Sequence, residues 1–287
     1  MIIVLALAIF SSAGYFTWRL FLKPQEELRE EAQLPPPTPP PDPTLPEFAH
    51  CLELADSGQT LDARNALTDF IERYPTSTKI DDAKDRLGQI NTSLFLSQVQ
   101  TPDKQVYIVK PGDVITKVAL KYKSTPELIM KANNLHGSML RIGQKLLISS
   151  AEFSLVISRK RQKVTVLDNG KFFKQYPIMT APVRAKAGSG TERRAGPTPK
   201  PPKIVGKITD KIAWSAGQRV IFADKGYLDA DHWIVIAPSG YSLYTDKPAA
   251  PGAPPLQKPS GGGYGLDPSD MQELAAILRK NDPVTIE

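Results

Sequence analysis

The chain is short of the residues that most often do chemistry. Its 287 residues include one cysteine, Cys51, and three histidines, His50, His136 and His232. A single thiol excludes an intrachain disulfide and any zinc site built on several thiolates. Acidic side chains are scarce in residues 105–150, which carry two against seven Lys and Arg. Charge of either sign is missing from Met1 to Phe16. Between residues 47 and 98 glycine is limited to Gly58 and Gly88 and proline to Pro75, so little there interrupts a helix. What is present is ordinary for a folded protein: 41% hydrophobic and 23% charged residues exclude wholesale disorder. The length suggests about two domains or several small modules.

The net charge of +6 is unevenly spread. Residues 1–104 carry nine basic and fifteen acidic side chains, and residues 151–287 carry twenty and thirteen. A basic C-terminal two-thirds suits an anionic partner such as a membrane surface or an acidic polymer. No nucleic-acid-binding motif is present, so nucleic acid is not an expected partner.

Residues 1–22 form an apolar run in which Arg19 sits at an interfacial depth. About 20 such residues at ~1.5 Å each cross a hydrocarbon core of ~30 Å. A transmembrane anchor is expected, with Trp18, Arg19 and Lys23 as its belt. The alternative is a cleaved signal segment with Ser11 and Ala13 before the cut, although its first residues lack Lys or Arg. By the positive-inside rule Arg19 and Lys23 place the bulk of the chain in the cytoplasm, whereas the downstream modules argue for the opposite side. Residues 23–46 follow as an acidic stretch (Glu26, Glu27, Glu30, Glu31) and then eight prolines between Pro35 and Pro46. Such a run favours polyproline II at ~3.1 Å per residue, a semi-rigid stalk.

Residues 47–100 carry apolar side chains at three- and four-residue spacing: Leu61, Ala66, Leu67, Phe70 and Ile71, then Ala83, Leu87 and Ile90. That is the period of amphipathic helices. The first helix is expected to stop near Gly58, the second at Tyr74–Pro75, and Ser77 or Thr78 to cap the third. The stretch Ala66–Ile90 resembles a tetratricopeptide-type unit. One to one and a half repeats are too few to stand alone, so the segment is expected to pack on a neighbour or bind a protein partner through residues 47–98. Adjacent His50 and Cys51 diverge on a helix and do not make a base–nucleophile pair.

In residues 105–149 the period changes from two (Val106, Ile108) to 3.6 (Val114, Ile115, Val118, Ala119, Tyr122). A second helix begins with Thr125 as N-cap and Pro126 at its first position. A last strand, Lys145–Ile148, completes a β-α-α-β unit. Tyr107, Val109, Gly112 and Asp113, then Asn133–Asn134–Leu135, then Ile142–Gly143–Gln144 resemble a LysM domain along its whole length. The resemblance implies binding of peptidoglycan or another N-acetylglucosamine-containing glycan. The candidate glycan residues are Gly112, Asp113, Val114, Ile115, Asn134, Leu135, Ile142 and Gly143. Gly112 and Asp113 also suit a plain turn and helix cap.

Residues 151–287 read as mostly β with one helix. Strands are expected at Phe153–Ile157, Lys163–Leu167, Phe172–Ile178, Lys203–Ile208, Arg219–Phe222, His232–Ile236, Tyr241–Tyr244 and Pro283–Ile286. Asp168–Asn169–Gly170 is a hairpin turn, and Asp267 to Asp270 cap a helix through Met271, Leu274, Ala275 and Leu278. The order resembles an L,D-transpeptidase catalytic domain. Where that family reads Ser-His-Gly-Cys-Ile-Arg-Leu, this chain reads Ser260–Gly261–Gly262–Gly263–Tyr264–Gly265–Leu266. The resemblance places the family's cysteine at Gly263, its histidine at Gly261, its arginine at Gly265 and its upstream histidine at Tyr244. Pro201–Pro202 replace part of the Thr-Pro-x-Gly-x-Phe segment after Thr198–Pro199. Acyl transfer through a thioester needs a thiolate and a nearby base, and glycine supplies neither. Ser260 with His232 or Tyr244 is the one substitute worth weighing, and nothing in the spacing supports it. The glycine run reads as a relic of an active-site turn.

The expectation is a multidomain chain: an N-terminal membrane helix, a small all-α segment, a β-α-α-β LysM module, and a mostly β L,D-transpeptidase-like domain without its nucleophile. It is expected in the cell envelope, as a single-pass inner-membrane protein with its bulk in the periplasm, or secreted if cleaved. No cofactor and no metal site are expected. Two other readings stay open: an active transpeptidase or hydrolase with a non-cysteine site, and a protein–protein adaptor working through the helical segment.

Overall fold

The computed structural model describes residues 14–18, 42–182, 203–222, 224, 226–238, 240–247 and 263–287. Residues 44–287 form one compact unit, separate from the residues before Thr44. Among the described residues no helix is long and apolar enough to cross a membrane. The expected anchor over residues 1–22 lies, apart from residues 14–18, outside the described residues.

Three helices open the larger unit: α1 (Leu45–Asp56), α2 (Thr60–Arg73) and α3 (Ile80–Phe95). Helix α1 starts inside the proline-rich stretch, with Pro46 in its first turn. Proline is tolerated there because the first N–H groups of a helix lack an intrahelical partner anyway. The helix thus takes up Leu45 and Pro46, which were expected to belong to the stalk. The Ser77 hydroxyl accepts the Lys79 N–H at 3.1 Å just ahead of α3. Phe48, Cys51, Ala63, Leu67, Phe70, Ala83 and Leu87 make the shared core of the three helices. Cys51 is fully buried in it, and burial pushes the thiol pKa up, away from the thiolate form.

Two short strands, β1 (Lys104–Ile108) and β2 (Lys145–Ser149), pair antiparallel and flank α4 (Ile115–Lys121) and α5 (Pro126–Ala132). Thr125 caps α5 by accepting the Leu128 N–H at 3.0 Å. Asn133 sews the module shut: its side chain donates to Ile129 and Leu147 carbonyls at 2.8 Å and accepts the Leu147 N–H at 2.7 Å.

The remaining strands form a nine-stranded sheet: β3 (Phe153–Ser158), β4 (Lys163–Asp168), β5 (Lys171–Pro177), β6 (Ile204–Ser215), β7 (Gln218–Val220), β8 (Asp231–Ala237), β9 (Tyr241–Thr245), β10 (Tyr264–Leu266) and β11 (Pro283–Ile286). The order is β10-β9-β8-β6-β11-β3-β4-β5, with β7 paired to β6. Pairs β10–β9 and β11–β3 are parallel, and the other pairs antiparallel. Helix α6 (Pro268–Ile277) covers one face, burying Met271, Leu274 and Ile277 against Ile234, Ile236 and Leu243. Asp267 caps α6 by accepting the Ser269 N–H at 2.9 Å.

Two strand expectations change. Strand β6 continues past Ile208 to Ser215, because a register shift between Ile208 and Asp210 carries the pairing with β8 onward. Strand β10, Tyr264–Leu266, was not among the expected strands. The helical segment is docked as well: Asn91 donates to the Phe173 carbonyl at 2.8 Å. Phe95 meets Phe153 and Phe173 edge-on, each at 5.5 Å between ring centroids.

Candidate functional site

The β1–α4 and α5–β2 loops of the small module meet through backbone bonds. The Gly143 N–H donates to the Val109 carbonyl at 2.8 Å, and the Val109 N–H to the Gln144 carbonyl at 2.9 Å. Gly112 and Gly143 both have φ of +82°, and Asn134 has φ of +51°, so both loops turn through left-handed backbone. Asp113 accepts the Tyr107 hydroxyl at 2.5 Å and the Lys110 N–H at 2.7 Å. The hydrogen bond to Asp113 pushes the Tyr107 pKa up to about 12 and holds the Asp113 carboxyl below its usual range. Asp113 is therefore a brace for the first loop.

The eight candidate glycan residues divide by exposure. Val114 and Ile142 are open to solvent at 47% and 71%, and Gly112, Asn134 and Gly143 are exposed with them. Leu135 is half-buried. Ile115, only 2% exposed, points into the module's core and offers no surface to a ligand. The apolar surface that these two loops expose thus comes from Val114 and Ile142, with the exposed glycines Gly112 and Gly143 on the same loops.

The small module is fixed to the sheet domain by a buried ionic seam that sequence spacing did not reveal. Glu127 on α5 accepts Lys211 Nζ at 3.1 Å and the Tyr227 hydroxyl at 3.0 Å. Lys211 also donates to the Ala275 carbonyl at 2.7 Å, and Thr125 donates to the Ala276 carbonyl. Partners 84 and 100 residues apart along the chain leave no periodic signature. Only an isolated acid on a helix otherwise rich in apolar side chains marks Glu127.

His232 belongs to this seam. It is 3% exposed, its ring stands edge-on to Tyr227 at 5.4 Å, and it borders a small void with Glu127, Lys131 and Gln272. Burial first, then the Lys211 charge, lowers its pKa to about 4, so it is neutral at pH 7. Along β8, His232, Ile234 and Ile236 face the α6 side, and Trp233 and Val235 face the other.

On that other face Trp233 lies opposite Tyr244 on β9, and Gly265 on β10 lies beyond Tyr244. A Cβ at Gly263 would meet the Ser242 side chain and the Tyr244 ring. Tyr244, Gly263 and Gly265 are therefore neighbours, whereas His232 is on the opposite side of the sheet. It is not available as a base at Gly263. Gly265 is pinned from both sides: its N–H donates to the Thr180 carbonyl at 2.7 Å, and its carbonyl accepts the Met179 N–H at 2.8 Å. The Thr180 hydroxyl donates to Asp246 Oδ2 at 2.5 Å, and that carboxylate stands where a Gly265 side chain would go. Tyr244 is buried, and burial raises its phenol pKa. Gly261, Ser260 and residues 198–202 lie outside the described residues. Among the described residues no group of three or more His, Cys, Asp or Glu is placed to hold a metal ion.

A LysM domain family model matches residues 107–149. Among solved structures, the chain is similar to an L,D-transpeptidase from Mycobacterium smegmatis, at 12% identity over 51% of this chain and 64% of that one, with a TM-score of 0.29. It is similar to an L,D-transpeptidase from Stackebrandtia nassauensis at 21% identity over 47% of this chain and 55% of that one, TM-score 0.29. A third likeness is to an Enterococcus faecium L,D-transpeptidase C442S mutant, at 16% identity over 47% and 50% of the two chains, TM-score 0.27. The chain spans less than two thirds of the length of each of these three structures.

Proposed function

We propose that this chain is a cell-envelope protein that holds on to peptidoglycan through its LysM module. In this reading the sheet domain is a non-catalytic scaffold that positions the module or regulates wall-remodelling enzymes. The observation that carries the reading is the LysM match over residues 107–149 together with the exposed apolar side chains Val114 and Ile142 on its two loops. Apolar side chains suit the faces of sugar rings, and the backbone groups of tightly turned loops suit acetamido arms. The absence of catalysis is supported by glycine at 263, by a buried Cys51 in a different core, and by His232 on the far face of the sheet. One shallow groove binds weakly, so an N-terminal membrane anchor or additional wall contacts would contribute through avidity. A protein partner, in this reading, meets the surface of α1 and α2, since α3 is engaged by β5.

The test is co-sedimentation of the purified protein with insoluble peptidoglycan, and with peptidoglycan stripped of its stem peptides. Binding to both is expected. A protein that stays in the supernatant with either material overturns the reading. Incubation with tetrapeptide-stem muropeptides is expected to leave the cross-links unchanged, and new cross-linked products would restore the enzyme reading.

A further inference from the structure

The second LysM loop has two sides. One is its Gly143 end, bonded to Val109 beside the first loop. The other faces the sheet domain across a cleft of about 600 Å³ lined by Leu135, His136, Met139, Phe222, Asp224 and Asp229 among others. We propose that this cleft is a second saccharide subsite, shared between the two domains, in which a glycan strand held by the LysM groove continues onto the sheet domain. This inference rests on the glycan-binding reading above and deepens it.

Continuity is the first argument. Leu135 is one of the candidate glycan residues, and it also lines this cleft. Leu135 and the exposed Ile142 belong to the same loop, so a strand that follows this loop from Ile142 reaches the cleft. The second argument is rigidity. Phe222 and Leu228 from the sheet domain pack into the LysM core alongside Leu135 and Leu140. The Phe222 ring is held edge-on to Tyr227 at 5.6 Å, and Tyr227 is bonded to Glu127. The walls are thus set by packing and by the buried seam, and the cleft is preformed in the way small-ligand sites of about 300–1,000 Å³ usually are.

Chemistry selects the occupant. Met139 is 92% exposed and, with Leu135 and Phe222, supplies an apolar wall. Asp224 and Asp229 supply acceptors, and His136 an imidazole. Asp224 Oδ2 accepts the Ile221 N–H at 2.8 Å, which fixes that carboxylate at the rim. The exposed carboxylates and the imidazole accept hydroxyl donors well. An apolar wall beside hydroxyl acceptors matches an uncharged pyranose, which presents a C–H face and a rim of hydroxyls. The occupant is therefore the next N-acetylhexosamine units of a strand whose first units sit in the LysM groove.

Calorimetry with N-acetylglucosamine trimer and hexamer tests this on the full chain. The hexamer is expected to bind about tenfold tighter than the trimer. Asp229→Arg, an exposed position chosen to fill the cleft, and Phe222→Ala are expected to abolish that difference and leave trimer affinity within about twofold. Ile142→Ala in the groove is expected to weaken both. If Phe222→Ala fails to fold, Asp229→Arg carries the test alone. Equal affinities for trimer and hexamer in the wild type, or a length preference that survives Asp229→Arg, overturn the shared subsite and leave the groove reading standing. Failure of the wild type to bind either sugar or peptidoglycan overturns both.

Discussion

Gly263 stands against Ser242 so closely that a Cβ on it would come within 2.8 Å of the serine Oγ and 2.9 Å of the serine carbonyl oxygen. The ring of Tyr244 would be 3.0 Å away. These are separations that real side chains do not adopt against backbone, so the missing side chain is a condition of the local packing between β9 and β10. Any side chain at this position would need its neighbours to move.

Gly263→Cys is accordingly expected to leave acyl transfer absent. It should also destabilise the protein by about 1–3 kcal/mol, the usual cost of forcing atoms into a packed interior. Thermal unfolding and a muropeptide cross-linking assay check this together. A variant as stable as the wild type, with transpeptidation activity, would show that the packing is permissive.

Exposure within the LysM loops separates binding from folding. Val114→Ala and Ile142→Ala are expected to lower the fraction of protein sedimenting with peptidoglycan while leaving the melting temperature nearly unchanged, since both side chains are exposed. Ile115→Ala is expected to cost about 2–5 kcal/mol by opening a cavity. Loss of binding on Ile115→Ala should follow unfolding and never precede it.

The ionic seam makes a sharper claim. Removing one buried partner strands the other, so Glu127→Ala is expected to destabilise by about 3–5 kcal/mol. Replacing both with apolar residues of similar length, as in Glu127→Met with Lys211→Met, removes the stranded charge. The double variant should recover much of that loss in denaturant unfolding. A double variant no better than the single one would mean that Lys211 is accommodated without its partner.

His232 gives a pH dependence with a definite sign. Its pKa is about 4 in the folded chain against an ordinary 6.5, so the unfolded chain takes up the proton first. Stability from this group is full above pH 6.5 and is lost as pH falls toward 4, by on the order of 3 kcal/mol. Lys211 and Lys131 oppose the proton, while Glu127 favours it. Asp270, raised to about 6 by burial, runs the other way: its contribution is present below its ordinary 3.8 and is lost as pH rises through 6. The net profile mixes the two, so the comparison is between wild type and His232→Gln. The variant is expected to lose less stability between pH 7 and pH 4.5, and parallel profiles would contradict the assignment.

Much of this protein can be read from its sequence, and the readable part has a common cause. Helices α1 to α3, the β-α-α-β module, the caps at Thr125 and Asp267 and the strand Pro283–Ile286 all follow from the period of apolar side chains and from local turn chemistry. Both act within a few residues of chain. The same locality marked Gly112 as a turn, whereas the reading of Gly263 came only from a family resemblance. Tertiary structure alone decided what depends on distant partners. It buried Ile115 while leaving Val114 exposed, and it turned His232 away from the face that carries Tyr244 and Gly263. It extended β6 across a register shift, made a strand of Tyr264–Leu266, and joined Glu127 to Lys211 and Tyr227. The physical reason is that a side chain's direction is fixed by its own strand or helix, whereas what it meets is fixed by chain that returns from 80 or more residues away. The glycine at 263 was visible from the start, and only the packing of β10 on β9 shows how little room a side chain would have there.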